Sequence, residues 1–141
     1  MSLDLTIVIP VKNEAANLPA CLNAIGVGFA RRVVVVDSAS TDDSLRIARE
    51  GGAECVSFAW DGRFPKKRNW FLRNHKPDTT WVLFLDADEC LTPEFKGELA
   101  ATLTGEHIFN AMRILLETFP KNAWTSEIMI ERARTTGNGG N

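Results

Sequence analysis

The residues best suited to chemistry in this 141-residue chain are acids that follow apolar runs. Leu5-Thr6-Ile7-Val8-Ile9 leads to Lys12-Asn13-Glu14, and Val33-Val34-Val35-Val36 leads to Asp37-Ser38. Trp81-Val82-Leu83-Phe84-Leu85 leads to Asp86-Ala87-Asp88-Glu89. Two neighbouring carboxylates disfavour each other's ionisation unless a cation or a set of donors lies between them. Magnesium commonly takes one or two protein carboxylates together with substrate phosphates. The Asp86-x-Asp88 pair therefore suits a metal–diphosphate complex. Alternation along an extended strand would point both carboxylates to one side. The plainer alternative is that they solvate a loop and cap the next helix.

A second cluster is basic. Pro65 opens a helix whose first turn carries Lys66, Lys67 and Arg68. Cations there oppose the helix dipole at about 0.3–1 kcal/mol each, and a bound anion reverses the sign. The alternative is a solvated basic face. Asp37 is placed to accept a hydrogen bond from a base N–H or a ribose hydroxyl, or to cap locally with Ser38 and Ser40. Glu14 has the same two readings, as a ligand contact or as the start of a helix. His75 and His107 are too few for a histidine metal site. A GxGxxG or a GxxxxGK[ST] pattern is absent, which removes the main support for dinucleotide and P-loop readings.

Buried parallel strands position these groups. Near-continuous Val- and Ile-rich runs read as strands covered on both faces. The predicted strands are about Leu5 to Val11, Arg32 to Asp37, Ala53 to Phe58 and Trp81 to Leu85. The helices between them begin at Asn17 (as N-cap, with Pro19 in the first turn), at Thr41 (with Asp42 and Asp43 in the first turn), and at Pro65. A further helix runs from Thr92-Pro93 to about Leu103. This alternation predicts a doubly wound α/β sheet of order 3-2-1-4, and right-handed crossovers put the switch point between strands one and four. Ligands in such sheets bind beyond the carboxyl ends of the strands, where the acids lie. Ile108, Phe109, Met112, Leu115, Leu116 and Phe119 have helical spacing; residues 124–134 have no clean period, and 135–141 read as a disordered tail. The expected organisation is a core over 1–105 and an extension of the same domain over 106–134.

Sixteen basic and eighteen acidic residues give a net charge of −2, which argues against a nucleic-acid binder driven by bulk charge. Three scattered cysteines, Cys21, Cys55 and Cys90, form no disulfide framework and fit a reducing cytosol. Neither a signal peptide nor a membrane-spanning run is visible, while peripheral attachment to a membrane surface stays compatible with the sequence.

The segments Thr6-Ile7-Val8-Ile9-Pro10-Val11-Lys12-Asn13-Glu14, Val35-Val36-Asp37-Ser38-Ala39-Ser40-Thr41-Asp42 and Leu83-Phe84-Leu85-Asp86-Ala87-Asp88-Glu89 together resemble family 2 glycosyltransferases of the GT-A fold. Phe64-Pro65-Lys66-Lys67-Arg68-Asn69 looks closest to the bacterial lipopolysaccharide-core β-glucosyltransferase-like branch. The resemblance covers about residues 4 to 105. It implies a nucleotide-diphosphate sugar donor, a UDP-sugar first of all, with Mg2+ or Mn2+. It also implies inversion at the anomeric carbon, a saccharide or lipid-linked acceptor, and a role in cell-surface polysaccharide or lipopolysaccharide synthesis. The implied location is cytoplasmic, including the inner face of the cytoplasmic membrane. By the same resemblance Pro10, Val11, Lys12 and Glu14 line the nucleoside pocket, Asp37 contacts the base, and Lys67 and Arg68 contact the nucleotide or diphosphate. Asp86 and Asp88 match the metal-binding Asp-x-Asp, Asp88 foremost.

Two departures stand out. Ala39 occupies a position where the family usually has Gly, so a positive φ there carries a steric cost. The acceptor half with its catalytic carboxylate is not recognisable: Glu98, Glu106, Glu117, Glu127 and Glu131 sit in no familiar motif. The family pattern also expects a strand near Phe109 to Leu115, where periodicity gives a helix. These departures leave a non-catalytic nucleotide-sugar-binding remnant as the main alternative, with donor binding but little transfer. A haloacid-dehalogenase phosphotransferase also places Asp-x-Asp after a buried strand, but Cys90 stands where that motif wants Thr or Val.

Overall fold

A computed structural model describes residues 2–59, 67–75, 77–104 and 129–132. The elements are β1 (Leu3–Val11), α1 (Leu18–Ile25), β2 (Ala30–Asp37), α2 (Ser44–Glu50), β3 (Glu54–Ser57), α3 (Lys67–Asn74), β4 (Trp81–Phe84), α4 (Pro93–Thr104) and β5 (Met129–Arg132). They build one five-stranded sheet of order β3-β2-β1-β4-β5. β1 pairs in parallel with β2 and β4, β2 pairs in parallel with β3, and β5 lies antiparallel to β4. The expected 3-2-1-4 order is present, and β5 extends it at a place where the sequence shows no strand period.

The period of two along each strand divides the core. Leu5, Ile7, Ile9 and Val11 of β1 join Val35, Leu83 and Leu85 on one face, under Leu18, Cys21 and Ile25 of α1, Ala48 of α2, and Phe95, Leu99 and Leu103 of α4. Val8, Val34, Val36, Val82 and Phe84 point to the other face, under Phe58 and Phe71 with Trp70 and Leu72 of α3. Because helices cover both faces, the central strand positions must be apolar or internally bonded, which is why the runs lack alternation. Each fully buried Leu, Ile or Val contributes roughly 1.5–3 kcal/mol. The buried polar residue on β1 is Thr6, whose hydroxyl lies 2.6 Å from that of Thr79. Thr79 donates to the Trp81 carbonyl at 3.1 Å, so the shared proton comes from Thr6.

α4 is capped as expected: Phe95 N–H donates to Thr92 Oγ1 at 3.1 Å. It is tied to α1 by Lys96, whose Nζ donates to the Ala24 carbonyl at 3.0 Å and sits 5.0 Å over the Phe29 ring. A cation at the C-terminal end of α1 has the sign the helix dipole favours. Two helix starts differ from expectation. Asn17 stands at the N-cap of α1 but its side chain does not cap; it donates from Nδ2 to Glu14 Oε1 at 3.0 Å. α2 begins at Ser44, so Thr41, Asp42 and Asp43 precede the helix rather than open it. Thr41 and Asp42 bond instead to the loop after β1, while Asp43 stands at the N-cap with its carboxylate on Arg46.

Candidate functional site

The site begins where the strands end. Val11 pairs with Asp37, and Asp37 with Ser57, so the last residues of three strands lie side by side. Ser38 N–H donates to the Val11 carbonyl and Phe58 N–H to the Asp37 carbonyl, at 2.9 and 2.8 Å. Asp37 is 2% exposed. Its Oδ2 accepts from Ser40 N–H at 3.1 Å and its Oδ1 from the Ser40 hydroxyl at 2.5 Å. The local-capping reading of Asp37 is thus present in the structure. Each carboxylate oxygen has two lone pairs, so acceptor capacity remains on both.

The loop after β1 is laced to the loop after β2. Asn13 N–H donates to Ser40 Oγ at 2.8 Å, and Asn13 Oδ1 accepts from Thr41 N–H at 2.7 Å and from Asp42 N–H at 3.3 Å. Glu14 N–H donates to Ser44 Oγ at 2.9 Å, and Ala15 N–H to Asp42 Oδ2 at 3.1 Å. Asp42 in turn accepts from the Ser44 hydroxyl, which holds its carboxyl below the usual carboxylate range. Asn13 and Ala39 both have positive φ, 55° and 54°. Asn tolerates this region; for Ala it costs about 1–2 kcal/mol. The cost expected from Ala39 is therefore incurred.

The candidate residues divide by neighbourhood. Pro10 is half-buried opposite Val36, and Val11 is buried opposite Asp37. Lys12 is exposed, with Nζ 3.5 Å from the Ala39 carbonyl. Glu14 lies before α1, and its carbonyl accepts from Asn17 and Leu18 N–H at 3.1 and 2.9 Å. Lys67 and Arg68 form the first residues of α3, while Pro65 and Lys66 lie outside the described residues. The helix is thus described from Lys67, not from Pro65.

Asp86 and Asp88 do not continue the strand. β4 ends at Phe84, and residues 86–89 form a turn closed by Glu89 N–H on the Asp86 carbonyl at 3.0 Å. Two carboxylates in a turn are not placed by strand alternation, so the expected common side does not follow from β geometry. The turn is instead braced by Glu89, 4% exposed, whose Oε1 accepts from Asp86 N–H at 2.8 Å. Asp86 is half-buried and Asp88 exposed. Among the described residues, no three acidic, His or Cys groups are gathered as a complete metal cage. Two carboxylates at a solvent edge suit an ion that completes its shell with water and a diphosphate. They do not suit an ion held by protein alone. Behind the turn, the Cys21 thiol lies 4.0 Å from the Asp86 carbonyl, and burial pushes its pKa up to about 12.

Sequence reasoning missed the roles of Asp42, Ser44 and Glu89, and the bond from Asn13 to Ser40. Glu89 had a visible signal, a third acid beside Asp-x-Asp. The partners across the loops become visible only with the β1–β2 register. His75 packs on Trp70 and Phe71, with ring centroids 5.2 and 6.0 Å away, as a core-edge residue. His107 and the segment from Phe109 to Leu115 lie outside the described residues. A groove of about 670 Å³ opens at the opposite end of the sheet, among Asn23, Gly26, Gly28, Arg31 and Gly51. That is the amino end of the parallel strands, away from Asp37 and Asp86, and not where ligands of such sheets bind.

Residues 6–136 match the sequence profile of glycosyl transferase family 2. An uncharacterized glycosyltransferase of Rickettsia felis is 35% identical over 88 residues, 62% of this chain and 30% of the relative. The SPbeta prophage-derived glycosyltransferase SunS of Bacillus subtilis is 32% identical over 64% of this chain and 21% of its own length. The chain thus spans less than a third of these relatives. Among solved structures, glucosyl-3-phosphoglycerate synthase from Mycobacterium tuberculosis, in complex with Mn2+, uridine diphosphate and glucosyl-3-phosphoglycerate, superposes with a TM-score of 0.56 at 26% identity, over 74% of this chain and 41% of that one. TarS from S. aureus gives 0.58 at 26% identity, over 70% of this chain and 31% of that one.

Proposed function

Because the chain belongs to glycosyl transferase family 2, we propose that its parallel core, within residues 1–105, binds a UDP-sugar together with Mg2+ or Mn2+. One observation carries this reading: Asp37 and the Asp86–Asp88 turn follow β2 and β4, the strands on either side of β1. That is the switch point of the sheet, where a crevice for a nucleotide forms. The mycobacterial synthase whose core superposes on this one is described with Mn2+ and uridine diphosphate, which supports the same ligand class here.

In this reading the protein's own groups divide the donor. Asp37, buried and held from Ser40, accepts from a base N–H with its remaining lone pairs. Pro10 and Val11 form the wall beside it, and Lys12 and Glu14 the rim. Lys67 and Arg68 bring positive charge to the first turn of α3, where a diphosphate offsets their mismatch with the dipole. Asp86 and Asp88 would hold the cation, Asp88 foremost, and a bound cation would supply positive charge against the departing diphosphate. Displacement at the anomeric carbon then inverts configuration once a carboxylate base takes the proton of the acceptor hydroxyl. The acceptor is a saccharide or a lipid-linked sugar, in cell-surface polysaccharide or lipopolysaccharide synthesis at the inner face of the cytoplasmic membrane. Among the described residues, no helix is long and apolar enough to cross a membrane.

Calorimetric titration with uridine, guanosine, adenosine and cytidine diphosphates, with and without Mn2+, tests the reading. The expected result is a preference for the uridine ligand that is lost when Mn2+ is omitted. Binding that ignores the base, or that is unchanged without metal, contradicts it.

A further inference from the structure

We propose that Asn13 is a positioning residue that holds the Asp37 loop in register with the loop after β1. The proposal rests on the donor-binding reading for its consequence, since Asp37 is the group it positions. Asn13 reaches Asp37 through one side chain: its N–H donates to Ser40 Oγ at 2.8 Å, and that hydroxyl donates to Asp37 Oδ1 at 2.5 Å. A donor from one strand end therefore orients the hydroxyl that orients the carboxylate on the next. On the side-chain end, Thr41 N–H, the Thr41 hydroxyl and Asp42 N–H converge on one atom of Asn13, at 2.7, 3.3 and 3.3 Å. Converging donors identify that atom as the amide oxygen. Asn13 thus grips the residues on both sides of the Ser40–Thr41 peptide, one with its backbone and the other with its side chain.

The residue type follows from two demands. The backbone stands at φ 55°, which favours Gly, Asn and Asp. The side chain must present an acceptor one carbon beyond Cβ, which Gly lacks and Asp supplies. A residue used only for its backbone conformation tolerates Gly. A positioning residue tolerates Asp and not Gly.

The test compares wild type, Asn13→Gly and Asn13→Asp in two measurements. The first is amide hydrogen exchange at Ser40, Thr41 and Asp42. The second is titration with uridine diphosphate and with inorganic diphosphate in Mn2+. Asn13→Gly is expected to lose protection at these amides and about tenfold in uridine diphosphate affinity, with inorganic diphosphate within about twofold of wild type. Asn13→Asp is expected to restore protection and to bring uridine diphosphate within about threefold of wild type. Equal weakening of both ligands by Gly, failure of Asp to rescue, or unchanged protection in Gly overturns the proposal. A wild-type chain that binds neither ligand instead contradicts the donor reading. The exchange series then decides the grip alone: loss in Gly with return in Asp supports it, and unchanged protection overturns it.

Discussion

The two acidic strand ends are built in opposite ways. After β2, Asp37 is buried and bonded twice to Ser40, and its loop is laced to the neighbouring loop through Asn13, Glu14 and Ala15. After β4, Asp86 is half-buried, Asp88 is exposed, and the turn is closed by its own Glu89. A buried acceptor that must read one face of a planar base gains from fixed geometry, because reorganisation on binding is avoided. A carboxylate that meets a hydrated cation gains from staying wet, because magnesium retains part of its water shell. On the proposed donor-binding reading, this difference gives recognition to one side of β1 and charge to the other.

The largest test of this division removes charge on the wet side. Asp88→Asn should lower Mn2+-dependent uridine diphosphate affinity by about 100-fold, or ~2.8 kcal/mol. The melting temperature should hold within about 1 °C, because Asp88 is exposed. Manganese-dependent binding equal to wild type would place the cation elsewhere. A smaller effect sharpens the rigid side. Ala39→Gly removes the steric cost of φ 54° and should raise stability by about 1 kcal/mol in urea denaturation. Unchanged or lower stability would mean that the loops do not impose that conformation in solution.

The smallest effect comes with pH. The Ser44 hydroxyl, with the Ser44 and Ala15 amides, holds the Asp42 carboxyl below its ordinary value. A depressed folded-state pKa adds stability that is complete above the unfolded value and is lost as pH falls through the folded one. The Ala15 and Ser44 amide shifts in nuclear magnetic resonance should therefore be constant from pH 7 to about 4 and move only below it. Movement between pH 5 and 7 would assign the loops' cohesion to another group.

How far the sequence announced this molecule depends on the range of the forces involved. β1, β2 and β4 and both faces of the core were legible because burial on two sides forces unbroken apolar runs, such as Val33 to Val36. Thr92 was legible as a cap because its partner Phe95 is three residues away. β5 was not: Met-Ile-Glu-Arg is too short and mixed to show a period, and what makes it a strand is β4. The start of α2 was misplaced because Asp42 bonds to Ala15 as well as to its own segment, a choice fixed by the β1–β2 register. The strand geometry assumed for Asp86 and Asp88 stops short of them for a similar reason: β4 ends at Phe84, and the Glu89 side chain bonds back onto Asp86 N–H.

β5 has one more consequence. Residues 81–84 of β4 are apolar and buried throughout, and β1 satisfies only one of the strand's two hydrogen-bonding flanks. Without a neighbour on the other flank, this greasy ribbon would end the sheet with a bare row of N–H and C=O groups, an open template for a foreign chain. Met129–Arg132 occupies that row, joining Trp81 to Arg132 and Phe84 to Met129. Among the described residues, the outermost position thereby passes from Trp-Val-Leu-Phe to a strand whose sequence includes Glu131 and Arg132, charges of both signs.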